Sequence, residues 1–160
     1  MRNLKCWVGV WACLLHVSAW ASLPAGSWKF ERSVDYFGRA PASQAPKFAT
    51  MKVSGDHVTL SDTCVVRLTT EDYFFSDVFQ PLSKQGVTAE QVNAFLLKHF
   101  KLSLAKTKSV HSLGPTTKCK PPMLELFLVN DKILVPVGVT FYLYARAVPN
   151  APTGAPAGAR

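Results

Sequence analysis

Carboxylates are scarce in this chain. It has 10 Asp+Glu against 18 Lys+Arg, a formal charge of +8 over 160 residues. None lies between Gln91 and Leu124, and the only adjacent pair is Glu71-Asp72. Neighbours on a strand point to opposite faces, so that pair makes a poor acid–base couple. Cysteine is scarcer still, with 4 in the chain and no C-x-x-C among them. That argues against thiol redox chemistry and a clustered zinc site. His57, His99 and His111 share no ligand spacing, so no metal is expected. No G-x-S-x-G elbow presents a serine. A Ser/His/Asp set can be drawn from Ser61, His57 and Asp35, but triads are defined by geometry, and no motif stands behind this one. The expectation is a protein that is not an enzyme, with no catalytic residues and no cofactor. The basic excess accompanies no nucleic-acid reading motif, which sets nucleic acid aside as a partner. There is no internal repeat, and the one long apolar run is at the N-terminus.

That run reads as an export signal over residues 1–21. Arg2 and Lys5 form a positive start, Cys6 to Val17 is mostly apolar, and Ala19-Trp20-Ala21 is a small-x-small cleavage pattern. The run is too short for a spanning helix. Nothing later is long and apolar enough to cross a bilayer, so the processed protein is expected to be exported, periplasmic or secreted, with no transmembrane segment. Setting Arg2 and Lys5 aside leaves 16 basic residues against 10 acidic, a formal +6. It also leaves two cysteines, Cys64 and Cys119. An even pair in an oxidising compartment is expected to form a disulfide.

The remainder divides into one β-rich domain, 22–147, and a tail, 148–160, rich in Pro, Gly and Ala and expected to be disordered. The most pronounced stretch is Met123 to Arg146. Leu124 to Val129 reads as a strand, Asn130-Asp131 as a tight turn and Ile133 and Val135 as the returning strand. Pro136-Val137-Gly138 reads as a second break, and Val139 to Arg146 as the last strand. A ribbon this apolar must be covered. Earlier in the chain, Trp28, Phe30, Arg32 and Val34 fall on one face of a first strand. Ser54-Gly55-Asp56 turns a hairpin, and Cys64 to Thr70 is a β-branched strand that Glu71-Asp72 breaks. Tyr73 to Phe75 is a possible new strand, and Ser76 to Gly86 reads as a helical turn closed by Gly86. Ser109 to Leu113 holds one more strand. The pattern predicts one helix from Ala89 to about Lys101. Thr88 and Gln91 form a capping box, and Val87 and Val92 a hydrophobic staple. Val92, Phe95, Leu96 and Phe100 make one apolar stripe, which predicts a helix lying on the sheet.

Two groups of side chains are candidates for binding. The aromatics Phe48, Tyr73, Phe75, Phe127, Tyr142 and Tyr144 would line an apolar cavity if the sheet closes, and would otherwise be ordinary core. Lys98, Lys101, Lys106, Lys108, Lys118 and Lys120 form a positive face suited to an anionic partner, although scattered lysines are more often only solvated.

Gly26-Ser27-Trp28 on the first strand resembles the G-x-W that opens lipocalins and other calycins. Arg146, near the end of the last strand, is placed like the basic residue that packs over that tryptophan in the superfamily. The resemblance implies an antiparallel barrel that binds apolar ligands or other proteins, with Trp28 and Arg146 as a structural pair. The helix departs from the pattern: lipocalins carry theirs after the last barrel strand, and this one precedes the final hairpin. The fold expected is thus mostly β (α+β), an antiparallel sheet or small lipocalin-like barrel with one covering helix at about 89–101. Two functions follow. The first is an exported, non-catalytic binding protein that holds a small apolar ligand in a barrel-like cavity. The alternative to it is an antagonist of inhibitor or immunity type, aimed at a secreted hydrolase or toxin. Sequence leaves the oligomeric state open.

Overall fold

The computed structural model describes residues 23–39, 47–60, 62–115, 119 and 125–147. The leader, the tail, Ser61, Lys118, Lys120 and Leu124 lie outside the described residues. Eight strands follow one another as an antiparallel meander: β1 Gly26–Asp35, β2 Thr50–Ser54, β3 His57–Leu60, β4 Cys64–Asp72, β5 Ser109–Leu113, β6 Glu125–Val129, β7 Lys132–Val137 and β8 Thr140–Arg146. β8 pairs back onto β1, so the sheet is a closed barrel with no free edge.

The turns explain the tight connections. Val129 and Lys132 face each other around Asn130 (φ 47°) and Asp131 (φ 58°), a two-residue turn with both residues left-handed. That geometry matches the right-handed twist of the flanking strands and favours Asn then Gly. Asp131→Gly is therefore expected to stabilise the protein by about 0.5–1 kcal/mol, because a left-handed non-glycine residue is strained. A lower thermal midpoint for that variant would refute the assignment. β7 continues through Pro136 instead of breaking there. Val137 and Thr140 flank the Gly138 turn, so the adjacent Pro136–Phe141 pair is a non-hydrogen-bonded one. The proline nitrogen then faces β6, whose ladder with β7 ends at Leu134, and no ladder bond is lost.

β1 departs from strict alternation. Phe30 pairs with Tyr144 but Arg32 pairs with Leu143, so Glu31 is an extra residue in a bulge. A one-residue slip exchanges the faces. Trp28 and Phe30 point into the barrel, whereas Arg32 and Val34 turn outward, which corrects the single-face reading. Arg32 then lies over the Phe100 ring at 5.1 Å. Ser33 and Asp35 become buried polar residues. Asp35 accepts from the Phe37 and Arg39 backbone N–H groups (2.9 and 3.1 Å) and from the Thr140 hydroxyl (3.0 Å). Burial raises the pKa of its carboxyl, but those bonds outweigh it and hold the pKa below its ordinary value.

β4 also runs on past its expected end, because Glu71 and Asp72 pair with Val110 and Ser109 of β5. Tyr73 and Phe74 leave the sheet, and Phe75 opens a helix instead of a strand. Between β4 and β5 the chain forms α1 Phe75–Val78, α2 Gln80–Ser83 and α3 Ala89–Phe100. The capping box is present in full: Thr88 Oγ1 accepts from the Gln91 N–H (3.3 Å), and Gln91 Oε1 accepts from the Thr88 N–H (2.9 Å). Lys101 adopts φ 60° and ends the helix. The following strap, residues 101–108, is tied back to α3 by Asn93, whose Oδ1 accepts from the Leu104 N–H (2.8 Å) and the Ser103 hydroxyl (3.1 Å).

Two apolar cores result, one on each side of the barrel wall. Trp28, Met51, Leu60, Leu126, Ile133 and Tyr144 fill the inside. Phe127, Leu134, Phe141 and Leu143 project outward, where Phe79, Leu82, Leu96 and Phe100 of the insertion cover them. β6, β7 and β8 are therefore buried on both faces, which is why they read as near-continuous apolar runs. Cys64 and Cys119 form a disulfide with a Cα–Cα distance of 5.8 Å. It joins the start of β4 to the connection between β5 and β6. No helix among the described residues is long and apolar enough to cross a membrane.

Candidate functional site

The six aromatics do not share a cavity. Phe48, Tyr142 and Tyr144 belong to the inner core, and Tyr73, Phe75 and Phe127 to the outer one. The inner three consolidate the barrel. Tyr144 donates its hydroxyl to the Phe48 carbonyl at 2.8 Å, and burial raises its phenol pKa. Phe30 packs against the rings of Tyr142 and Tyr144 with centroids 6.3 and 6.1 Å away. The outer three hold the insertion. Tyr73 meets Phe127 edge-on at 5.1 Å, and burial pushes its phenol up to about 12. Inside the barrel, Leu60, Leu126, Ile133, Val135 and Tyr144 are 0% exposed, and Trp28, Met51 and Val58 are 1% exposed. Phe30, Leu128, Val137 and Tyr142, which pack against this inner core, are only partly buried.

Trp28 and Arg146 face each other across the β1–β8 seam. The guanidinium reaches past Gly26 and donates through Nη2 to the Ala25 carbonyl at 2.7 Å. Gly26 has φ +142°, and a Cβ there would lie 3.3 Å from Arg146 Nε. Glycine is thus required both by conformation and by the close pass of the arginine. The indole N–H of Trp28 is buried with no partner among the described residues.

Of the hydrolytic candidates, Ser61 lies outside the described residues, and His57 and Asp35 stand apart. His57 Nδ1 and Asp56 form an exposed 2.7 Å pair in the β2–β3 hairpin, with Arg67 on the same carboxylate at 3.2 Å. That hairpin lies beside the Gly26 end of β1, and Asp35 is at the other end of that ten-residue strand. No cluster of metal-ligating side chains occurs among the described residues.

Three concavities lie around the insertion. One, of about 390 Å³, lies between Tyr73 and Phe75 on one side and α3 and the strap on the other. A second, of about 340 Å³, is acidic: Glu71 and Asp72 of β4, Asp77 of α1 and Glu125 of β6 border it beside Phe74, which is 61% exposed. A third, of about 300 Å³, is basic and lies where the strap crosses the ends of β5 and β6. It contains Lys106 and Lys108 of the expected positive face. Lys98 and Lys101 are exposed on α3 and at its end.

The acidic cleft was not legible beforehand. Glu71 and Glu125 meet only because β5 lies between their strands, and no local pattern encodes that adjacency. Burial pushes the Glu125 carboxyl up, and the charge of Glu71 pushes it the same way. A group whose folded pKa is raised costs nothing in acid. The cost grows as pH rises through the unfolded value and is complete above the folded one. Glu125→Gln should therefore stabilise the protein near neutral pH by a few tenths of a kcal/mol. The gain should vanish in acid, as denaturation at both pH values would show. An equal gain in acid would rule out the charge explanation.

No family model, curated protein or solved structure matches this chain. The fold itself defines the class: a small eight-stranded antiparallel barrel of lipocalin-like shape, carrying an external helical insertion.

Proposed function

We propose that this is an exported, non-catalytic binding protein that meets an anionic protein partner with the outside of its barrel, as an inhibitor or immunity-type antagonist does. The outer surface carries this reading: the four exposed lysines and the clefts described above lie on and around the insertion. The leader-like residues 1–21 and the Cys64–Cys119 bridge support export to an oxidising compartment. Facing residues Trp28 and Arg146 support kinship with the calycins. A second reading, a small apolar ligand inside the barrel, draws on the Trp28 indole N–H, which has no partner among the described residues and which a guest's acceptor would satisfy.

Native mass spectrometry of the full-length protein recovered from the exported fraction separates the two. The antagonist reading expects a stoichiometric complex with one protein, weakened by salt and by charge reversal at Lys98 and Lys101. A stoichiometric small-molecule adduct with no protein complex would overturn it in favour of the second.

A further inference from the structure

The basic cleft has a property that a solvated lysine face lacks: a buried histidine in its floor. His111 is 5% exposed, and its neighbour across the ladder is Leu126 of the inner core. Its Nδ1 lies 3.1 Å from the Thr70 hydroxyl of β4. The other ring nitrogen has no partner among the described residues. Lys106, Thr107, Lys108, Ser109 and Asn130 line the cleft with His111, and no carboxylate is among the described lining residues. The backbone beneath is fixed: the Thr107 N–H bonds the Leu104 carbonyl (2.9 Å) and the Lys108 carbonyl accepts from the Tyr73 N–H (2.9 Å). Two lysines, two hydroxyl residues and a buried histidine therefore border a concavity of about 300 Å³ with no acidic residue in its described lining.

We propose that this cleft, at the β5–β6 mouth of the barrel, is a binding site for a small oxyanion, a carboxylate or phosphate. In the tautomer whose Nδ1 accepts from the Thr70 hydroxyl, the neutral ring carries its proton on Nε2 and offers a donor to the anion. Burial lowers the pKa of His111, which keeps the empty site from holding a third unpaired charge. Lys106 and Lys108 supply the Coulombic attraction, and the Thr107 and Ser109 hydroxyls complete the coordination. The site shares Lys106 and Lys108 with the lysine face proposed above, but its test needs no protein partner.

The test is an NMR titration of the full-length chain with inorganic phosphate and, in a separate arm, malonate, both at constant ionic strength. The site predicts saturable shifts of the His111 ring signals together with the amides of residues 106–109. Saturation by either anion supports the site, and the tighter of the two names its class. Lys106→Gln/Lys108→Gln should weaken binding about tenfold. Lys98→Gln/Lys101→Gln removes the same charge outside the cleft and should change affinity less than about twofold, because exposed charges at a distance are screened. Shifts that stay linear in both anions would overturn the proposal. So would equal weakening by the two double variants, which is the signature of general charge attraction.

Discussion

Replacing Cys64 and Cys119 together by alanine is expected to lower the unfolding free energy by about 4 kcal/mol, from the chain-entropy cost of a 55-residue loop. That is a large part of the roughly 5–15 kcal/mol that holds an ordinary domain together. The loop enclosed by the bridge contains most of β4, the whole insertion and β5, so an unfolded chain without the bridge regains freedom across the middle of the domain. Alanine at both positions is the informative variant. Cys64 is 3% exposed in the inner core, and a single substitution would leave its partner as a free thiol. Guanidinium denaturation, compared with wild type in the presence and absence of reductant, measures the effect. A loss below about 1 kcal/mol would mean that the unfolded chain is already constrained by other means. Reduced wild type should resemble the double variant, since the argument concerns the covalent link and not the sulfur atoms.

What could be read from the chain and what could not divide along a physical line. Features set by a few neighbouring residues were readable: the Thr88–Gln91 capping box, the Asn130-Asp131 turn and the stripe of Val92, Leu96 and Phe100. The apolar β6–β8 ribbon announced that both its faces need cover, and they have it. Alternation gives parity but not sign. It says that Phe127 and Leu126 point opposite ways, and only the pairing of distant strands decides which one faces the lumen. For that reason the six aromatics, taken together as a possible cavity lining, divide three and three across the wall, with Tyr73, Phe75 and Tyr142 only partly buried. The Glu31 bulge is a one-residue slip against β8, more than a hundred residues away, and it carries no mark in β1 itself. The candidate sites were hidden for the same reason. His111 lacks ligand spacing in sequence, and it acquires Lys106 and Lys108 as neighbours only when the strap folds over β5.

Phe79→Ala should have the second large effect, about 3–5 kcal/mol, the usual cost of emptying a buried aromatic site. Phe79 is 0% exposed and is the single residue between α1 and α2. Its ring stacks on Phe127 at 5.8 Å with an 8° interplanar angle, packs against Phe141 at 5.8 Å and Phe75 at 5.3 Å, and meets Tyr73 edge-on at 6.2 Å. Phe127 and Phe141 belong to the barrel wall, so this one side chain ties the insertion to the barrel. Truncation leaves a void between two layers that have separate cores, and neither layer can collapse to fill it without leaving its own ladder or helix. Hydrogen exchange should therefore report an uneven loss: α3 amides lose protection first, through an opening that leaves β1–β4 paired. Phe74→Ala, one element away but 61% exposed, should shift stability by no more than about 0.5 kcal/mol. Equal loss of protection in α3 and in β1–β4 would show that wall and insertion unfold as one unit. The two-core description would then hold for packing but not for stability, and a partner gripping the insertion would stabilise the whole barrel instead of a detachable layer.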